Sequence, residues 1–388
     1  MRNATTVESW PRPRSSPSQE AKEIQRLLAR AGIVINGPQP WDMQVHNENF
    51  FRRLLAQGSL GLGESYMDGW WDAASLDEFF ARAKRAELHK DVGESRATWL
   101  SLKSRLLNLQ TQALARRVAA QHYDLGNDLY QAMLDSHMQY SCGYWPGGAS
   151  LEQAQQNKMD LICRKLGLRQ GMRVLELGGG FGGLARFAAA KYGCEIVSYN
   201  ISTRQVDYGK EVCQGLPVRF ELKDYREATC EDSLFDRAVS VGFCEHVGYR
   251  NFRVFMEVVH KCLKLGGLFL LHTIGGNQSC SYTDPWIDKY IFPGGVIPSL
   301  SQLSRAAEGL FVMEDLHNFG PDYDKTLMAW WDNFAHAWPA LRGRYGDRLF
   351  RMWKYYLLAS AGSFRARTLQ LWQMVLSKGD VSSYRPVR

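Results

Sequence analysis

The chain has no uninterrupted apolar run of the length that a membrane-spanning helix needs, which is about 20 residues. Its first residues carry scattered arginines without an apolar stretch, so they do not resemble a secretory signal. We therefore expect residues 1–17 to be a disordered leader and the protein to be cytoplasmic.

The eight cysteines form no CxxC pair, and their spacing fits no zinc template. Free thiols in a reducing compartment are the simplest interpretation, and we expect no metal site. Hydrophobic residues make up 45% of the chain and charged residues 22%, as in ordinary globular proteins, so extensive disorder is excluded. The length of 388 residues is typical of two or three structural units.

Negative charge is the scarcer sign, since the net charge is +7. Residues 82–117 contain nine lysines and arginines but three acidic residues. Residues 340–388 contain ten lysines and arginines but two acidic residues. Such stretches fit an acidic partner surface, either lipid headgroups or nucleic acid, but they also fit ordinary solvated helix faces. No base-stacking or base-flipping pattern is visible, so we expect no nucleic-acid partner.

Two kinds of pattern follow one another along the chain. Residues 18–32 have apolar residues at helical spacing, and Leu76 to about Gln121 also has a helical pattern, so we predict a small, mostly helical domain over residues 18–110. From about residue 170, short apolar strands alternate with helices, which predicts an α/β fold with a parallel sheet and helices on both faces. The aromatic-rich segment 330–377 is predicted to be helical and to pack on the sheet.

A glycine-rich turn follows the first of these strands in "VLELGGGFGGLARF", residues 174–187. Its spacing suits either a dinucleotide or S-adenosylmethionine. A dinucleotide site also needs an acidic residue about 20 positions later, whereas the second strand ends at Asn200 and Ile201. Asp224 follows the third strand, where it can accept the adenine amino group. The succession of strands resembles the Rossmann-like sheet of class I methyltransferases, which favours S-adenosylmethionine.

Several longer motifs narrow the resemblance. The segments "HYDLGNDLYQAML", "MQYSCGYW", "GFCEHVG", "LLHTIG" and "DYDKTLMAW" together resemble the cyclopropane-fatty-acid-synthase family, in its long bacterial form. The resemblance covers nearly the whole chain after the leader. It implies a lipid-binding domain at residues 18–110 and an S-adenosylmethionine-dependent catalytic domain at 111–388. It also implies peripheral binding to the inner face of a phospholipid membrane and is compatible with a homodimer.

The family's chemistry adds a methylene group across a cis double bond of an acyl chain. The carbocation that forms loses a proton to a bound bicarbonate. By resemblance, the bicarbonate site and the catalytic residues comprise Cys142, Glu245, His272, Ile274 and Tyr323. The expected S-adenosylmethionine contacts are Tyr140, Ser141, Gly178, Gly180, Asn200, Ile201, Gln205, Asp224 and Tyr225.

Structural roles are open for several of these residues. Glu245 can cap a helix, Tyr323 and His272 can serve packing, and Asp224 can belong to a turn. Cys142 can be an ordinary buried thiol or a nucleophile.

The chain also departs from the family pattern. Where the family commonly has Asp-φ-Gly-Cys-Gly-Trp, this chain has Glu176 and Gly179 in place of the acid and the cysteine, with Ser198 in place of a glycine. Cys244 replaces a phenylalanine, and we expect it to widen the pocket. Two further functions are therefore considered: methylation of a different alkene, with a branched methyl or methylene product or a non-lipid substrate, and cofactor binding with little turnover.

Overall fold

The structure is a computed structural model, and it describes residues 18–88, 126–228, 234–379 and 384–388. The expected leader, much of the first basic stretch and the expected domain boundary at residue 110 lie outside the described residues.

The N-terminal part is a small helical unit. Its first helix has Ile24 and Leu28 buried, as expected from their helical spacing. A short antiparallel pair of strands joins residues 44–45 to residues 71–72. The elements of this part are α1 (Gln19–Ala29), β1 (Gln44–Val45), α2 (Asn49–Gln57), α3 (Ser59–Met67), β2 (Trp71–Asp72) and α4 (Leu76–Arg85).

A seven-stranded sheet forms the centre of the rest of the described chain. Its strands are β3 (Arg173–Leu177), β4 (Glu195–Asn200), β5 (Val218–Leu222), β6 (Phe235–Val241), β7 (Leu263–Gly276), β8 (Val312–Asn318) and β9 (Leu369–Ser377). Their order across the sheet is β5-β4-β3-β6-β7-β9-β8. The first five strands in this order pair in parallel, and β9 is antiparallel to both of its neighbours. The α/β architecture predicted from the strand–helix alternation is confirmed.

Helices cover both faces of the sheet because successive strand residues point to opposite sides. Val174 packs with the helices over residues 151–165 and 183–192, whereas Leu175 packs with the helix over residues 252–262. The helices are α5 (Asn127–Met133), α6 (Leu151–Lys165), α7 (Gly183–Tyr192), α8 (Thr203–Val212), α9 (Cys244–Val247), α10 (Phe252–Cys262), α11 (Pro285–Tyr290), α12 (Leu300–Ala307) and α13 (Gly320–Arg365), the last broken at Gly346.

The helical prediction for the C-terminal segment is wrong for residues 369–377, which form β9. This strand lies between β7 and β8, and both of its faces are covered, so most of its residues are buried. Continuous burial removes the alternation that distinguishes a strand from a helix in sequence. The helix ends just before, and Arg367 adopts a left-handed φ of 59° in the turn.

Helix α13 joins the N-terminal unit to the sheet. Gly362 faces α4 so closely that a Cβ there would lie 2.5 Å from the Asp77 carbonyl oxygen and 2.7 Å from Phe80 Cβ. Arg365 Nη1 donates to Asp77 Oδ2 at 2.6 Å. The two helices therefore pack with almost no space between their backbones.

This contact predicts the effect of one methyl group. Gly362→Ala should lower the free energy of unfolding by about 1–3 kcal/mol, because the backbone of α4 must move to admit the new Cβ. Gly343→Ala is the matched control, since at that site in the same helix no atom of the described residues lies within 4 Å of the added Cβ. The control should be neutral or gain up to about 1 kcal/mol from helix propensity. Equal stabilities of both variants in urea unfolding would contradict the packing described.

Candidate active site

The glycine-rich turn stands at the carboxyl end of β3. Gly178, Gly180 and Gly182 have φ values of 81°, 52° and 81°, a region that favours glycine. A Cβ on Gly178 would lie 2.5 Å from the ring of Phe243, which follows β6. The turn therefore lies at the edge where the carboxyl ends of β3 and β6 meet, which is the usual ligand site of such a sheet.

Asn200 ties the tip of β4 to this turn. Its Nδ2 donates to the Gly180 carbonyl at 3.1 Å and to Gln205 Oε1 at 3.0 Å. Ile201 follows, half-buried. The structure thus brings together Gly180, Asn200, Ile201 and Gln205, all of them expected S-adenosylmethionine contacts; their role in binding stays a prediction.

Asp224 and Tyr225 follow β5. Both Asp224 carboxylate oxygens accept hydrogen bonds from the Arg226 side chain, at 2.7 and 2.8 Å, and the backbone N–H of Arg226 donates to the same carboxylate. Asp224 therefore belongs to a turn, which is the structural role considered for it from the sequence. Its contact with a cofactor stays a prediction. The buried Tyr225 ring lies 5.7 Å from that of Phe243.

The departures from the family pattern at the turn are physically linked. Ser198 Oγ donates to Glu176 Oε2 at 2.6 Å beneath the turn. An added Cβ on Gly179 would collide with both of these side-chain oxygens. Glu176, which is larger than the family's aspartate, and Ser198 thus fill the space that a side chain at position 179 would need. Glycine fits at this position because it has no side chain.

This linkage predicts a thermodynamic coupling. Gly179→Ala should lower the free energy of unfolding by about 1–3 kcal/mol through overpacking. In a Ser198→Gly background, which removes one of the two colliding oxygens, the same change should cost less. A double-mutant cycle from urea unfolding measures the difference, and additive effects would show that the three residues are independent.

Lys158 of α6 is fully buried behind the site, and the sequence pattern does not single it out. Its Nζ donates to Ser141 Oγ at 2.9 Å and to Gln139 Oε1. Burial lowers the pKa of Lys158 to about 8 and raises that of the neighbouring Glu176 to about 7. Lys158 thereby holds the segment that carries Tyr140, Ser141 and Cys142. Its one signal in the sequence is a lysine on the apolar face of α6.

Glu245 lies in the short helix α9, just after β6. Its Oε1 accepts a 2.6 Å hydrogen bond from the backbone N–H of Ile274 on β7. Its Oε2 is buried and has no hydrogen-bond partner among the described residues. Burial raises the pKa of Glu245 to about 7. The helix-cap alternative is wrong, because this carboxyl group reaches across to β7.

His272 precedes Ile274 by two residues on β7, so both side chains lie on the same face of the sheet. It is 1% exposed, and within the described part of the chain its Nε2 has no partner. Burial lowers the pKa of His272 well below its usual range, which keeps the ring neutral. His272 Nε2, on β7, is thus a second buried polar atom that has no partner among the described residues.

Cys142 and Tyr323 belong to the same region. The pKa of Tyr323 is raised by burial and then by the nearby Tyr356, Cys142 and Glu245. Burial also raises the pKa of Cys142 well above its usual range, so its sulfur is a thiol rather than a nucleophilic thiolate. The structure therefore gathers Cys142, Tyr323 and Glu245, and the backbone of Ile274 joins them through its bond to Glu245.

An aromatic wall borders this group; we define it as Tyr140, Phe292, Tyr323, Trp330 and Tyr356. The Tyr140 ring lies 5.2 Å from Trp330 and 6.4 Å from Phe292, and its hydroxyl donates to that of Tyr356 at 3.0 Å. Phe292 in turn lies 5.3 Å from the ring of His246, next to Glu245. The carboxyl group of Glu245 thus adjoins a surface of aromatic rings.

Cys244 does not widen this region, contrary to expectation. It is fully buried and packs with Phe252, Phe255 and Val296 in the core beneath α10. The phenylalanine-to-cysteine change therefore lies in the core behind Glu245, in a different hydrophobic cluster from the aromatic wall.

One group of side chains among the described residues has metal-like spacing: Asp135, His137 and Glu152. Asp135 accepts from the backbone N–H groups of His137 and Gln139, and Glu152 accepts from Ser136. These bonds account for the group as a turn, and we assign no ion to it.

With this geometry in place, the family can be identified. The model of the mycolic acid cyclopropane synthetase family matches residues 110–374. The chain belongs to this family. It is 50% identical over 363 residues to cyclopropane-fatty-acyl-phospholipid synthase of Escherichia coli, covering 93% of this chain and 94% of the relative. It is also 32% identical over 356 residues to tuberculostearic acid methyltransferase UfaA1 of Mycobacterium tuberculosis, covering 84% and 80%.

A solved structure extends the comparison to the fold. Mycolic acid cyclopropane synthase CmaA1, in complex with SAH and CTAB, superposes with a TM-score of 0.62 at 28% identity, over 70% of this chain and all of the other. The class I methyltransferase fold is confirmed. The chain is therefore an S-adenosylmethionine-dependent enzyme that transfers a methylene group. Among its described helices, none has the length and apolarity to cross a membrane.

The raised pKa of Glu245 predicts a dependence of stability on pH. The folded protein binds the proton of the Glu245 carboxyl group more tightly than the unfolded chain does. Protonated Glu245 therefore stabilises the fold fully below the ordinary pKa of 4.5, and this stabilisation is lost as pH rises to about 7. As pH rises from 4.5 to 8, the parent should therefore lose at most about 3 kcal/mol of unfolding free energy through Glu245, and Glu245→Gln should not show this loss.

Urea unfolding at several pH values measures this difference. The exposed Glu257→Gln is the control, with a side chain 50% accessible, and it should follow the parent throughout. A Glu245→Gln variant whose stability parallels the parent at every pH would contradict the burial of the carboxylate.

Proposed function

We propose that this enzyme transfers a methylene group from S-adenosylmethionine across a cis double bond in the acyl chains of membrane phospholipids, with bound bicarbonate as the proton acceptor. The observation that carries the proposal is that Glu245 Oε2 and His272 Nε2 are buried and have no partner among the described residues. Buried polar atoms are usually paired, and both residues belong to the motifs that the family resemblance assigns to the bicarbonate site, so we infer a polar ligand for them.

Bicarbonate fits these residues by its donors and acceptors. It is a small planar group with one hydroxyl donor and several acceptor oxygens. Glu245 can take part as acceptor or, since its pKa is about 7, as a protonated donor. His272 and the Tyr323 hydroxyl supply further polar groups, and the apolar surroundings keep water away. Cys142 closes this side of the site as a buried thiol.

S-adenosylmethionine fits the glycine turn. No atom of the described residues lies within 4 Å of a hypothetical Cβ on Gly180, which leaves room for a ligand against its backbone. The adjoining Tyr140, Ser141, Gly178, Asn200, Ile201, Gln205, Asp224 and Tyr225 are the proposed contacts. When bound by these residues, the cofactor would supply the electrophilic methyl carbon, and a bicarbonate held by Glu245, His272 and Tyr323 would supply the proton acceptor for ring closure.

The protein's own contribution is alignment and exclusion of water. An alkene is a weak nucleophile, so it must be held in line with the sulfonium methyl in a dry site. The π electrons form the new C–C bond as the S–C bond breaks, and a carbocation remains on the acyl chain. The aromatic wall can stabilise that charge through its ring faces and offers no nucleophile to capture it.

Phospholipid as substrate is supported by the Escherichia coli relative, which is named for this activity and matches over nearly its whole length. The excess of positive charge on the chain suits the negative surface of the inner leaflet. We accordingly propose that the enzyme works as a cytoplasmic protein bound peripherally to that membrane.

A second candidate shares the carbocation but ends differently. The UfaA1 relative is named for tuberculostearic acid, and its 32% identity to this chain makes a methyl-branched product the leading alternative. In that case a hydride shifts along the acyl chain to the cationic carbon and the new cation loses a different proton, which gives a branched alkene instead of a ring.

The experiment uses purified enzyme, S-adenosylmethionine, bicarbonate and vesicles of unsaturated phospholipid. We expect acyl chains heavier by one CH2 group, with cyclopropane proton signals in NMR. Glu245→Gln should reduce kcat by about 100-fold or more, because the bicarbonate is no longer oriented. Glu257→Gln, exposed on α10, should match the parent. A branched product would favour the second candidate, and the absence of any product under these conditions would overturn both.

A further inference from the structure

A row of three polar side chains crosses the sheet beside the site. His272 on β7 pairs in register with Gln373 on β9, which pairs in register with His317 on β8. Residues opposite each other on neighbouring strands point to the same face, so the three side chains are adjacent. Gln373 is fully buried between two histidines.

The contact between Gln373 and His272 determines the position of a proton. Gln373 Nε2 lies 3.2 Å from His272 Nδ1. An amide nitrogen can only donate, so Nδ1 must accept, and the one proton of the neutral ring then resides on Nε2. The reverse amide orientation would leave the buried NH2 group without an acceptor, and unpaired donors are rarer than unpaired carbonyl oxygens.

The remaining atoms of the pair agree with this arrangement. Within the described residues, Gln373 Oε1 and His272 Nε2 are both buried without a partner. The unpaired oxygen is the lesser cost, and the unpaired Nε2 is the ring atom left for a ligand. Phe319 closes the space, with its ring 5.7 Å from that of His272 and 5.0 Å from that of His317.

We propose that Gln373 is a positioning residue that fixes neutral His272 as the Nε2–H tautomer, so that this nitrogen donates to the anionic proton acceptor beside Glu245. The inference rests on the proposed function for the identity of that anion. It adds a residue that the sequence motifs do not single out and that touches neither cofactor nor substrate.

The amide is chemically suited to this task because it is neutral. A carboxylate at position 373 would accept from Nδ1–H, which leaves Nε2 without a proton or makes the ring an imidazolium. Beyond Gln373 lie charged groups: Lys165 Nζ is 3.3 Å from His317 Nδ1 and 3.2 Å from Asp315 Oδ2. The neutral glutamine lies between His272 and the His317 end of this cluster and orients the His272 ring, while the positive charges of Lys165 and Lys158 help to keep that ring neutral.

The direct test is the tautomer itself. In full-length protein labelled with 15N-histidine, two-bond 1H–15N correlations distinguish the two neutral forms, and the His272 signals are assigned by their loss in His272→Gln. We expect the Nε2–H form in the parent and a mixture of both forms in Gln373→Leu. Gln370→Leu is the matched control, since Gln370 is a buried glutamine on the same strand that bonds Arg367 and Asn318 instead.

Kinetics supply a second readout. Gln373→Leu should raise the KM for bicarbonate or lower kcat by about tenfold, while the calorimetric Kd for S-adenosylmethionine stays within about twofold. Gln370→Leu should leave the KM for bicarbonate, kcat and the Kd for S-adenosylmethionine unchanged. A parallel loss of cofactor affinity and turnover in Gln373→Leu would indicate a general packing defect and would overturn the proposal.

The two hypotheses fail in different ways. If the parent protein shows the Nδ1–H form, or if Gln373→Leu leaves the tautomer unchanged, the role of Gln373 is wrong whatever the enzyme produces. If the parent shows the expected tautomer but forms no cyclopropane lipid, the proposed function fails while the hydrogen bond described here stands.

Discussion

The hydrogen bond from the Ile274 amide to the Glu245 carboxylate is the contact on which the site depends. It joins the helix after β6 to the carboxyl end of β7, and it holds the carboxyl group away from solvent. Once this bond is made, the carboxyl group of Glu245 is held near Tyr323, and burial raises its pKa to about 7. The aromatic wall then encloses a polar centre inside an otherwise apolar space.

Buried polar side chains surround this centre, and each is oriented by a neighbour. Lys158 holds Ser141 from behind, Gln373 holds His272 from the side, and Asn200 holds the glycine turn. Groups of this kind cost free energy to bury and are tolerated where they are hydrogen-bonded. These hydrogen-bonded side chains lie near the carboxyl ends of the strands. They indicate a site whose groups are held in fixed positions by their neighbours.

The sequence predicts much of this arrangement, and its failures have physical causes. Strand–helix alternation identifies the parallel strands because each pattern is local, and the motifs identify Glu245, His272 and Tyr323 as candidates. Strand β9 is missed because burial on both faces hides its period. Lys158 and Gln373 are missed because their importance arises from contacts between distant segments, which no local pattern encodes. Cys244 is misplaced for the same reason: whether a side chain faces a pocket or the core is decided by tertiary packing.

Helix α13 has contact with both parts of the chain, with Gly362 against α4 at one end and Tyr323 in the site at the other. One continuous hydrophobic cluster includes Ile24 of the N-terminal unit and Trp330 of the aromatic wall. The small helical unit is thus not an interchangeable module. Transplanting it between distant relatives would require the facing surface of α13 to be exchanged as well, so we expect the two surfaces to change together during evolution.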